Sequence, residues 1–401
     1  MAQARGLTAI CSSLESDWRP GWLERARQWR DQLLMSPAFQ RWAAAFPLTR
    51  WIAAQREQQL FDLCAGFVYT QTLLACVRLR LFQVLADGPL TSAMVATRID
   101  LSPAMAERLL LAATALQLTE RRGRDRFGLG PLGAAMLGNP GVAAMVEHHS
   151  MLYADLQDPV ALLRAGTGTG ALHDYWAYAR ADQPSQLDAN RVADYSALMA
   201  ASQTMVAEDV VAAWAFDRYK KILDVGGGEG VFLSAVGAVA PRTQLVLFDL
   251  PPVASRGGER LRAAGFQERS QAVGGDFCVD PLPTGADLIT LVRVLHDHDD
   301  DLVLSLLRAV RKAMPANGTL LIAEPMAGTS GSERIGDTYF GFYLLAMGSG
   351  RARTPAELTQ LLELSGFTEV RLQPTRRPLR VRLLTARPAQ FDEQIKSVNL
   401  S

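Results

Sequence analysis

The two halves of the chain differ in how their apolar positions are spaced. From about residue 221 onward, short apolar runs of strand length are separated by longer segments in which apolar residues recur at helical spacing. Strands that alternate with helices form a parallel, doubly wound sheet of the Rossmann-like α/β class. The predicted strands are Ile222–Val225, Leu245–Asp249, Gln271–Val273, a segment within Ala286–Leu295, and Gly318–Glu324.

The first half of the chain is predicted to be mostly helical. An apolar helical segment runs from Phe61 to Leu85, where Asp87-Gly88-Pro89 ends it. A further helix is predicted at Pro103–Leu116, and the polar segment from Leu118 to Leu129 is predicted to form a two-stranded wing. The predicted division is a helical extension at 1–55, a winged-helix-like domain at 56–205 and the α/β domain at 206–401.

A winged module can bind DNA, or it can join two protein copies. The helix that would read DNA, Pro103–Leu116, carries one basic residue, Arg108, beside Glu107, and most of its other positions are Leu, Ala or Met. Such a helix offers little to a phosphate backbone and much to an apolar partner. Dimerisation is therefore favoured, and a DNA-binding regulator is the alternative from another functional class.

The N-terminal extension, residues 1–55, contains five of the seven tryptophans together with many arginines. Two interpretations are open. The rings pack on the body of the protein or on a second subunit, or they rest at a membrane interface, where tryptophan is favoured.

Composition narrows the function classes. The 401 residues include 41 basic and 41 acidic side chains, a balance that argues against a nucleic-acid-binding surface spread over the molecule. The four cysteines show no CxxC spacing, so neither a zinc site nor a disulfide framework is predicted. The N-terminus lacks the apolar segment of a signal peptide, and the uncharged run Leu63–Val77 is too short for a membrane span. We therefore expect a cytoplasmic protein in which Leu63–Val77 is a buried helix.

A glycine cluster, Gly226-Gly227-Gly228-Glu229-Gly230, follows the first predicted strand and its acidic residue Asp224. A dinucleotide fingerprint has its third glycine three positions after the second, at Val231, whereas here the glycine comes earlier. Gly-x-Gly-x-Gly after an acidic strand end favours S-adenosylmethionine over NAD, with Asp224, Gly226 and Gly228 as cofactor-binding candidates. A plain tight turn is the alternative.

Acidic residues also follow the next two strands. Asp249, followed by Leu250, ends the second strand, where a carboxylate can accept both ribose hydroxyls. Asp276-Phe277 lies at the next turn, where a polar acceptor and a ring suit an adenine. A helix cap or a solvated loop is the alternative for each acidic residue. Three such positions in succession favour one shared ligand.

The fourth strand runs into Arg293-Val294-Leu295-His296-Asp297-His298 and three further aspartates. His296 directly follows the apolar strand, on the edge where a methyl donor would lie, and its unperturbed pKa near 6.5 allows it to accept a proton at neutral pH. A purely structural His296 is the alternative. Alternating His and Asp could also bind a divalent metal, but adjacent loop residues cannot all turn inward, and no metal is predicted.

In combination, these motifs resemble the S-adenosylmethionine-dependent O-methyltransferases related to the plant caffeate and flavonoid enzymes. The resemblance runs from about Phe61 to Leu384, and segments 61–69 and 337–350 are similar to the carotenoid branch of that family in purple photosynthetic bacteria. The motifs are Leu-Asp-Val-Gly-Gly-Gly-Glu-Gly at 223–230, Phe-Asp-Leu-Pro-Pro-Val at 248–253, Gly-Gly-Asp-Phe at 274–277, Val-Leu-His-Asp-His-Asp-Asp at 294–300, and Arg-Thr-Pro-Ala-Glu-Leu at 353–358 with Gly366-Phe367.

The resemblance implies several properties. The protein is expected to form a homodimer through its helical domain, and His296 is expected to be the general base. Acidic side chains orient this histidine in the family, and the candidates here are Glu324, which ends a strand, and Asp337.

Two departures from the plant pattern affect this loop and a later one. Val292 and His298 stand where plant relatives have Lys and Trp, so Arg293 is the candidate for the missing cofactor contact. Ala352 stands where plant relatives can carry a further acidic residue.

The similarity to the carotenoid branch implies an acceptor, the tertiary 1-hydroxyl of an acyclic carotenoid of the hydroxyneurosporene or demethylspheroidene type. A quinone, a bacteriochlorophyll intermediate or a polyketide is the alternative acceptor, and His296 argues against a catalytically silent scaffold. A helix predicted at 334–348 is apolar nearly all round, which is typical of a core or a dimer interface. A sleeve for a polyene is the second interpretation of that helix.

Overall fold

The computed structural model describes residues 21–175, 203–378 and 380–390 and divides the chain into two compact units, Met1–Leu73 and Leu74–Ser401. This boundary differs from the predicted ones at 55/56 and 205/206, so the three-part division remains a prediction. The predictions made for residues 1–20 and 176–202 lie outside the described residues.

The described part of the first unit is helical. Its helices are α1 (Trp22–Met35), α2 (Pro37–Ala45) and the first part of α3 (Arg50–Arg78), which continues into the second unit. Ser36 separates α1 from α2, and its Oγ accepts the Phe39 N–H at 3.4 Å, as an N-cap does. No side chain of α1 or α2 is buried. Four tryptophans of the unit are more than half exposed: Trp22, Trp29, Trp42 and Trp51.

Helix α3 is 29 residues long and begins well before Phe61. The prediction of a buried helix here is wrong, because only Leu74 and Cys76 are buried and Leu63 is 79% exposed. Apolar residues lie on every side of α3 from Leu63 to Val77, so a neighbour on one side leaves the other sides uncovered. The helix extends well beyond this run, which was predicted to be too short for a membrane span, and among the described helices α3 alone is long and apolar enough to cross a membrane. A helix that packs against a second copy of a protein can have the same length and composition.

The second unit begins with the winged arrangement. Its elements are α4 (Leu81–Val84), β1 (Leu90–Thr91), α5 (Ser92–Ile99), α6 (Pro103–Ala115), β2 (Thr119–Arg121) and β3 (Arg126–Leu129). The predicted wing is present, with β2 antiparallel to β3, but β1 adds a third strand on the other side of β3. A two-residue strand has no periodic pattern, and for that reason the sequence did not predict it.

The helices that follow connect the winged part to the sheet. They are α7 (Pro131–Leu137), α8 (Pro140–Asp155), α9 (Pro159–Ala165), α10 (Ala171–Tyr175) and α11 (203–213). The predicted loop at 166–170 joins α9 to α10. Its Gly168 donates to Leu345 O at 2.8 Å, and a Cβ there would overlap the backbone of Ala346. This contact fixes the loop against the segment that follows the fifth parallel strand.

The sheet has seven strands. They are β4 (Lys221–Val225), β5 (Gln244–Asp249), β6 (Ser270–Gly274), β7 (Leu288–Val292), β8 (Thr319–Glu324), β9 (Phe367–Gln373) and β10 (Arg382–Pro388), in the spatial order β6-β5-β4-β7-β8-β10-β9. The five predicted strands are all present and parallel. The prediction of a purely parallel sheet is wrong at one edge, where β10 runs antiparallel to both β8 and β9. Strand β9 is polar at alternate positions and carries no continuous apolar run.

Helices cover both faces of the sheet. They are α12 (Val231–Val239), α13 (Pro251–Ala263), α14 (Asp300–Ala313) and α16 (Pro355–Leu364). Helix α15 (Phe340–Met347), which follows a π-helical segment at Arg334–Tyr339, packs instead with residues of α8, α9 and α10. Alternate residues of β4 enter opposite cores: Leu223 and Val225 pack with α14 and α16, whereas Ile222 packs with α11 and α12. The strand order reverses between β4 and β7, and the carboxyl ends of the parallel strands meet at this switch point.

Candidate active site

The glycine-rich loop leaves β4 at the switch point and leads into α12. Gly226, Gly228 and Gly230 have φ values of 68°, 57° and 75°, in the left-handed region that glycine adopts without strain. A Cβ at Gly226 would come within 2.8 Å of Val294 Cγ2, whereas the space beside Gly228 is open. The loop therefore presents bare backbone to the edge of the sheet, next to the end of β7.

Asp249 lies across from this loop at the end of β5. Its Oδ2 accepts the Gly228 N–H at 2.7 Å, and its Oδ1 accepts the Leu250 N–H at 2.7 Å. Desolvation raises the pKa of Asp249 to about 6, although both N–H groups act in the opposite direction. Each carboxylate oxygen accepts one backbone hydrogen bond and retains a lone pair for a ligand hydroxyl.

Asp224 lies behind the loop and is 1% exposed. Thr290 Oγ1 donates to its Oδ1 at 2.6 Å. Burial raises the pKa of Asp224 to about 7, the Thr290 hydroxyl opposes this shift, and the charge of Asp249 adds to it. The two carboxyls at the donor end of the site therefore titrate close to neutrality.

Asp276 and Phe277 follow β6. The carboxylate of Asp276 is buried and accepts the Cys278 N–H at 2.9 Å, which braces the turn. The half-buried ring of Phe277 meets His298 edge-on, with 5.5 Å between centroids. This places the predicted adenine-side residues beside the loop that carries His296.

His296 lies in a single 3-10 turn, Leu295–Asp297, directly after β7, and is 4% exposed. Its Nδ1 is 2.6 Å from Glu324 Oε2 at the end of β8. The other oxygen of Glu324 accepts the N–H groups of Val294 and Leu295 at 2.9 and 2.7 Å. Glu324 therefore holds both the imidazole and the backbone of the turn, and an ionised carboxylate there requires the proton of a neutral imidazole on Nδ1.

A second carboxylate faces the other imidazole nitrogen. Asp297 Oδ1 lies 3.0 Å from His296 Nε2, and the Asp297 side chain is also buried. Burial lowers the pKa of His296, but the charges of Asp297 and Glu324 outweigh it, so the pKa is raised overall. The sequence interpretation treated Asp297 only as a loop residue. Its place directly after the predicted base was the signal that could have identified it.

Arg293 and Asp337 were also predicted at the site. Arg293 has a φ of 59°, and its positive charge disfavours protonation of His296. Asp337 is exposed and accepts the Gly328 N–H at 3.1 Å. Among the described contacts, the carboxylate bound to the imidazole through a hydrogen bond is that of Glu324, so an orienting role for Asp337 stays a prediction, as does a cofactor contact for Arg293.

Aromatic rings line the side of His296 that faces α15. The ring of Phe340 meets the imidazole edge-on, with 5.5 Å between centroids. Tyr339 contacts Phe340 at 5.1 Å and stacks on Tyr343 at 5.7 Å. We call Tyr339, Phe340 and Tyr343 the aromatic wall.

Two histidines of α8 bind the tyrosines of the aromatic wall. His148 Nε2 is 2.8 Å from the Tyr343 hydroxyl, and His149 Nε2 is 2.8 Å from the Tyr339 hydroxyl. Burial lowers the pKa of His148 to about 4 and also lowers the pKa of His149, so both rings are neutral at pH 7. No pattern in the chain predicted these pairs, because about 190 residues separate the partners.

Two of the three aspartates after His298 have structural partners. Asp299 accepts the Gly350 N–H, and Asp300 binds arginines of the same segment. Within the described residues, no group of three or more His, Cys, Asp or Glu side chains is arranged to hold a metal ion.

Family models match most of the chain. Residues 153–368 match the O-methyltransferase domain, and residues 61–139 match the O-methyltransferase dimerisation domain. The second match contains the winged module and supports its interpretation as a dimerisation module rather than a DNA-binding module.

Relatives and solved structures extend the match. The demethylspheroidene O-methyltransferase of Cereibacter sphaeroides is 43% identical over 355 residues, which cover 88% of this chain and 93% of that protein. The protein of the same name from Rhodobacter capsulatus is 42% identical over 83% of this chain and 82% of its own length. The methyltransferase CalO1 of calicheamicin biosynthesis, with SAH bound, has a TM-score of 0.70 at 26% identity and covers 84% of this chain and 99% of its own. These matches confirm the resemblance and the fold class that the motifs indicate.

Proposed function

Because the chain belongs to the S-adenosylmethionine-dependent O-methyltransferase family, we propose that it methylates the tertiary 1-hydroxyl of an acyclic carotenoid of the demethylspheroidene or hydroxyneurosporene type. One juxtaposition carries the proposal: His296 is held by Glu324 and meets Phe340 of the aromatic wall, and Val294 of the same segment lies against Gly226 of the glycine loop. A base, a donor site and an apolar surface therefore meet at one edge of the sheet. The names of the two relatives that are 43% and 42% identical support a carotenoid acceptor.

The residues at the strand ends fit S-adenosylmethionine, which when bound supplies an electrophilic methyl group on a sulfonium. We assign the ribose hydroxyls to Asp249, since each of its oxygens has a lone pair available beyond its backbone hydrogen bond. Gly226 and Gly228 allow close approach of the loop backbone, and Asp276 with Phe277 is assigned to the adenine. Once ionised, the carboxyls of Asp224 and Asp249 favour a cationic ligand over a neutral one.

His296 acts in this proposal through Nε2, because Nδ1 is engaged with Glu324. A tertiary hydroxyl is too weak an acid to ionise beforehand, so Nε2 takes its proton while the C–O bond forms. The acceptor hydroxyl takes the place of Asp297 Oδ1 at Nε2. Only the neutral imidazole can accept this proton, so turnover rises with pH through the raised pKa of His296.

The aromatic wall suits the hydrocarbon part of the acceptor. Its tyrosine hydroxyls are bound by neutral histidines, which leaves ring surface as the lining beside His296. A long polyene requires a dry apolar channel with one polar end. We propose that α15 and the segment before it form one side of that channel.

Two further contacts belong to the proposal. The dimerisation-domain match supports a homodimer, and the exposed apolar side chains of α3 from residue 61 onward lie within the matched segment. We also propose a cytoplasmic protein with peripheral contact to the photosynthetic membrane, since residues 21–60 carry six arginines against three acidic residues and expose four tryptophans.

The acceptor is tested by label transfer. The purified protein is incubated with methyl-labelled S-adenosylmethionine and, separately, with 1-hydroxy carotenoids, a quinol, a polyketide phenol and a bacteriochlorophyll precursor. We expect label in the carotenoid methyl ether, and a loss of turnover on the order of 10² to 10⁴-fold in His296→Ala with donor affinity retained. Transfer to another acceptor, with none to any 1-hydroxy carotenoid, would replace the proposed substrate. Unchanged turnover in His296→Ala would remove the base.

A further inference from the structure

A buried arginine binds the carbonyl side of the turn that carries His296. The Arg353 side chain is 1% exposed. Its Nη1 donates to Leu295 O at 2.6 Å, its Nη2 donates to His298 O at 2.6 Å, and its Nε donates to Asp300 Oδ1 at 2.7 Å. One guanidinium therefore binds the residue before His296, the residue two positions after it, and the first residue of α14.

The turn is held from two opposite sides. Glu324 accepts the N–H groups of Val294 and Leu295, and Arg353 donates to the carbonyls of Leu295 and His298. Leu295 is thus bound at both its N–H and its carbonyl. These contacts leave the 3-10 turn little freedom to rotate the imidazole relative to the sheet edge.

Arg353 is itself fixed by its surroundings. Its own carbonyl accepts the Ala327 N–H at 3.0 Å, in the segment that follows β8. Gly350, three residues earlier, has a φ of 76°, and a Cβ there would overlap the His296 carbonyl. The segment 350–353 therefore packs directly against the turn and carries the guanidinium to it.

We propose that Arg353 is a positioning residue for the reaction, one that acts through the backbone of the His296 turn and does not contact the acceptor. A planar guanidinium can donate to two carbonyls and a carboxylate at fixed angles, whereas a lysine ammonium is a point charge on a flexible stem. Replacement by lysine keeps the charge but cannot reproduce this arrangement. This inference rests on the proposed role of His296 as the base.

The matched pair Arg353→Lys and Arg351→Lys tests the proposal. Arg351 belongs to the same segment but binds the side chains of Asp300 and Glu357, and it makes no described hydrogen bond to the turn carbonyls. We expect Arg353→Lys to lower kcat on the order of 100-fold while the acceptor KM and the donor Kd stay within about threefold, since small displacements of a reacting group have effects of this size. Arg351→Lys should keep kcat within about threefold of the wild type.

Folding is checked by circular dichroism and donor binding. If Arg353→Lys fails to bind donor, Arg353→Ala with added guanidinium carries the test, and guanidinium should restore turnover by occupying the vacated site. A folded Arg353→Lys with wild-type kcat, or an Arg353→Ala protein that guanidinium does not restore, would overturn the proposal. His296→Ala is measured in parallel: if it keeps turnover, the base assignment fails, whereas a loss there combined with a fully active Arg353→Lys refutes only the positioning role.

Discussion

Single residues decide the protonation of the base. His296 lies between two carboxylates, Glu324 at Nδ1 and Asp297 at Nε2, in a site that excludes most water. Burial favours the neutral ring, and the two negative charges favour the imidazolium. The carboxylates prevail, so the base begins each turnover with a pKa above that of a free histidine.

Replacing Asp297 by Asn should shift the acid limb of the kcat/KM profile to lower pH. The change removes a negative charge 3.0 Å from Nε2 and lowers the pKa of His296. Because the neutral ring is the active form, activity should then persist to lower pH, by on the order of one pH unit. Asp301→Asn, which changes an exposed aspartate in the first turn of α14, is the matched control and should leave the limb in place. An unshifted limb in Asp297→Asn contradicts the assignment.

The site residues that could be predicted from the sequence are those whose position relative to a strand end is visible in the chain. Asp224, Gly226, Gly228, Asp249 and His296 each lie at or just after the carboxyl end of a strand, and these strand ends meet at one edge of a parallel sheet. Glu324 also ends a strand, and the family resemblance named it. The histidine–tyrosine pairs join α8 to Tyr343 of α15 and to Tyr339 of the π-helical segment before it, and no spacing in the chain connects them.

At the scale of secondary-structure elements, the prediction of burial failed for one helix, α3. From Leu63 to Val77, helix α3 is uncharged and mostly apolar, a pattern that predicts burial. Within one copy, however, Leu60, Leu63 and Phe67 are all at least 60% exposed. Their spacing of three and four residues places them on one helix face. The dimerisation-domain match covers two of them, so a second copy is the partner that the pattern anticipates.

Charges on this face should weaken the dimer. Leu63→Arg and Phe67→Arg each bury a charge in an apolar contact, so we expect the dimer dissociation constant to rise at least about tenfold. Sedimentation equilibrium over a range of protein concentrations measures this. Gln58→Arg adds the same charge at an exposed polar position on the opposite side of α3 and should leave the dimer intact. Equal association of all three variants would place the interface elsewhere.

At the scale of the whole molecule, charge is distributed unevenly although the total is zero. Residues 21–60 have a net charge of +3, from six arginines, two glutamates and one aspartate. In α1, Trp22, Ala26, Trp29 and Leu33 recur at helical spacing along one side, which is the pattern of a helix that lies in a lipid interface.

This unit should bind anionic vesicles. We expect the protein to sediment with vesicles of phosphatidylglycerol and phosphatidylcholine, with a blue shift of tryptophan fluorescence, and to bind phosphatidylcholine alone more weakly. Salt should reduce the binding, because arginines near an anionic surface contribute about 1 kcal/mol each. Trp22→Ser with Trp29→Ser should reduce it further, whereas Gln28→Ser on another side of α1 should not. Equal binding to neutral and anionic vesicles would exclude the electrostatic part of the proposal.

The sequence by itself determined the strand and helix alternation, the position of the glycine loop, the acidic residues at strand ends and the position of the proposed base, His296. Each of these features is encoded by residues close together in the chain, because hydrophobic periodicity and turn-forming residues act locally. The tertiary structure decided the third strand of the wing, the antiparallel strands β9 and β10, the exposure of α3, and the partners of His296 from distant segments. Phe340 beside the ring and Arg353 on the turn carbonyls result from packing between segments up to 58 residues apart, and packing depends on the assembled fold rather than on spacing along the chain.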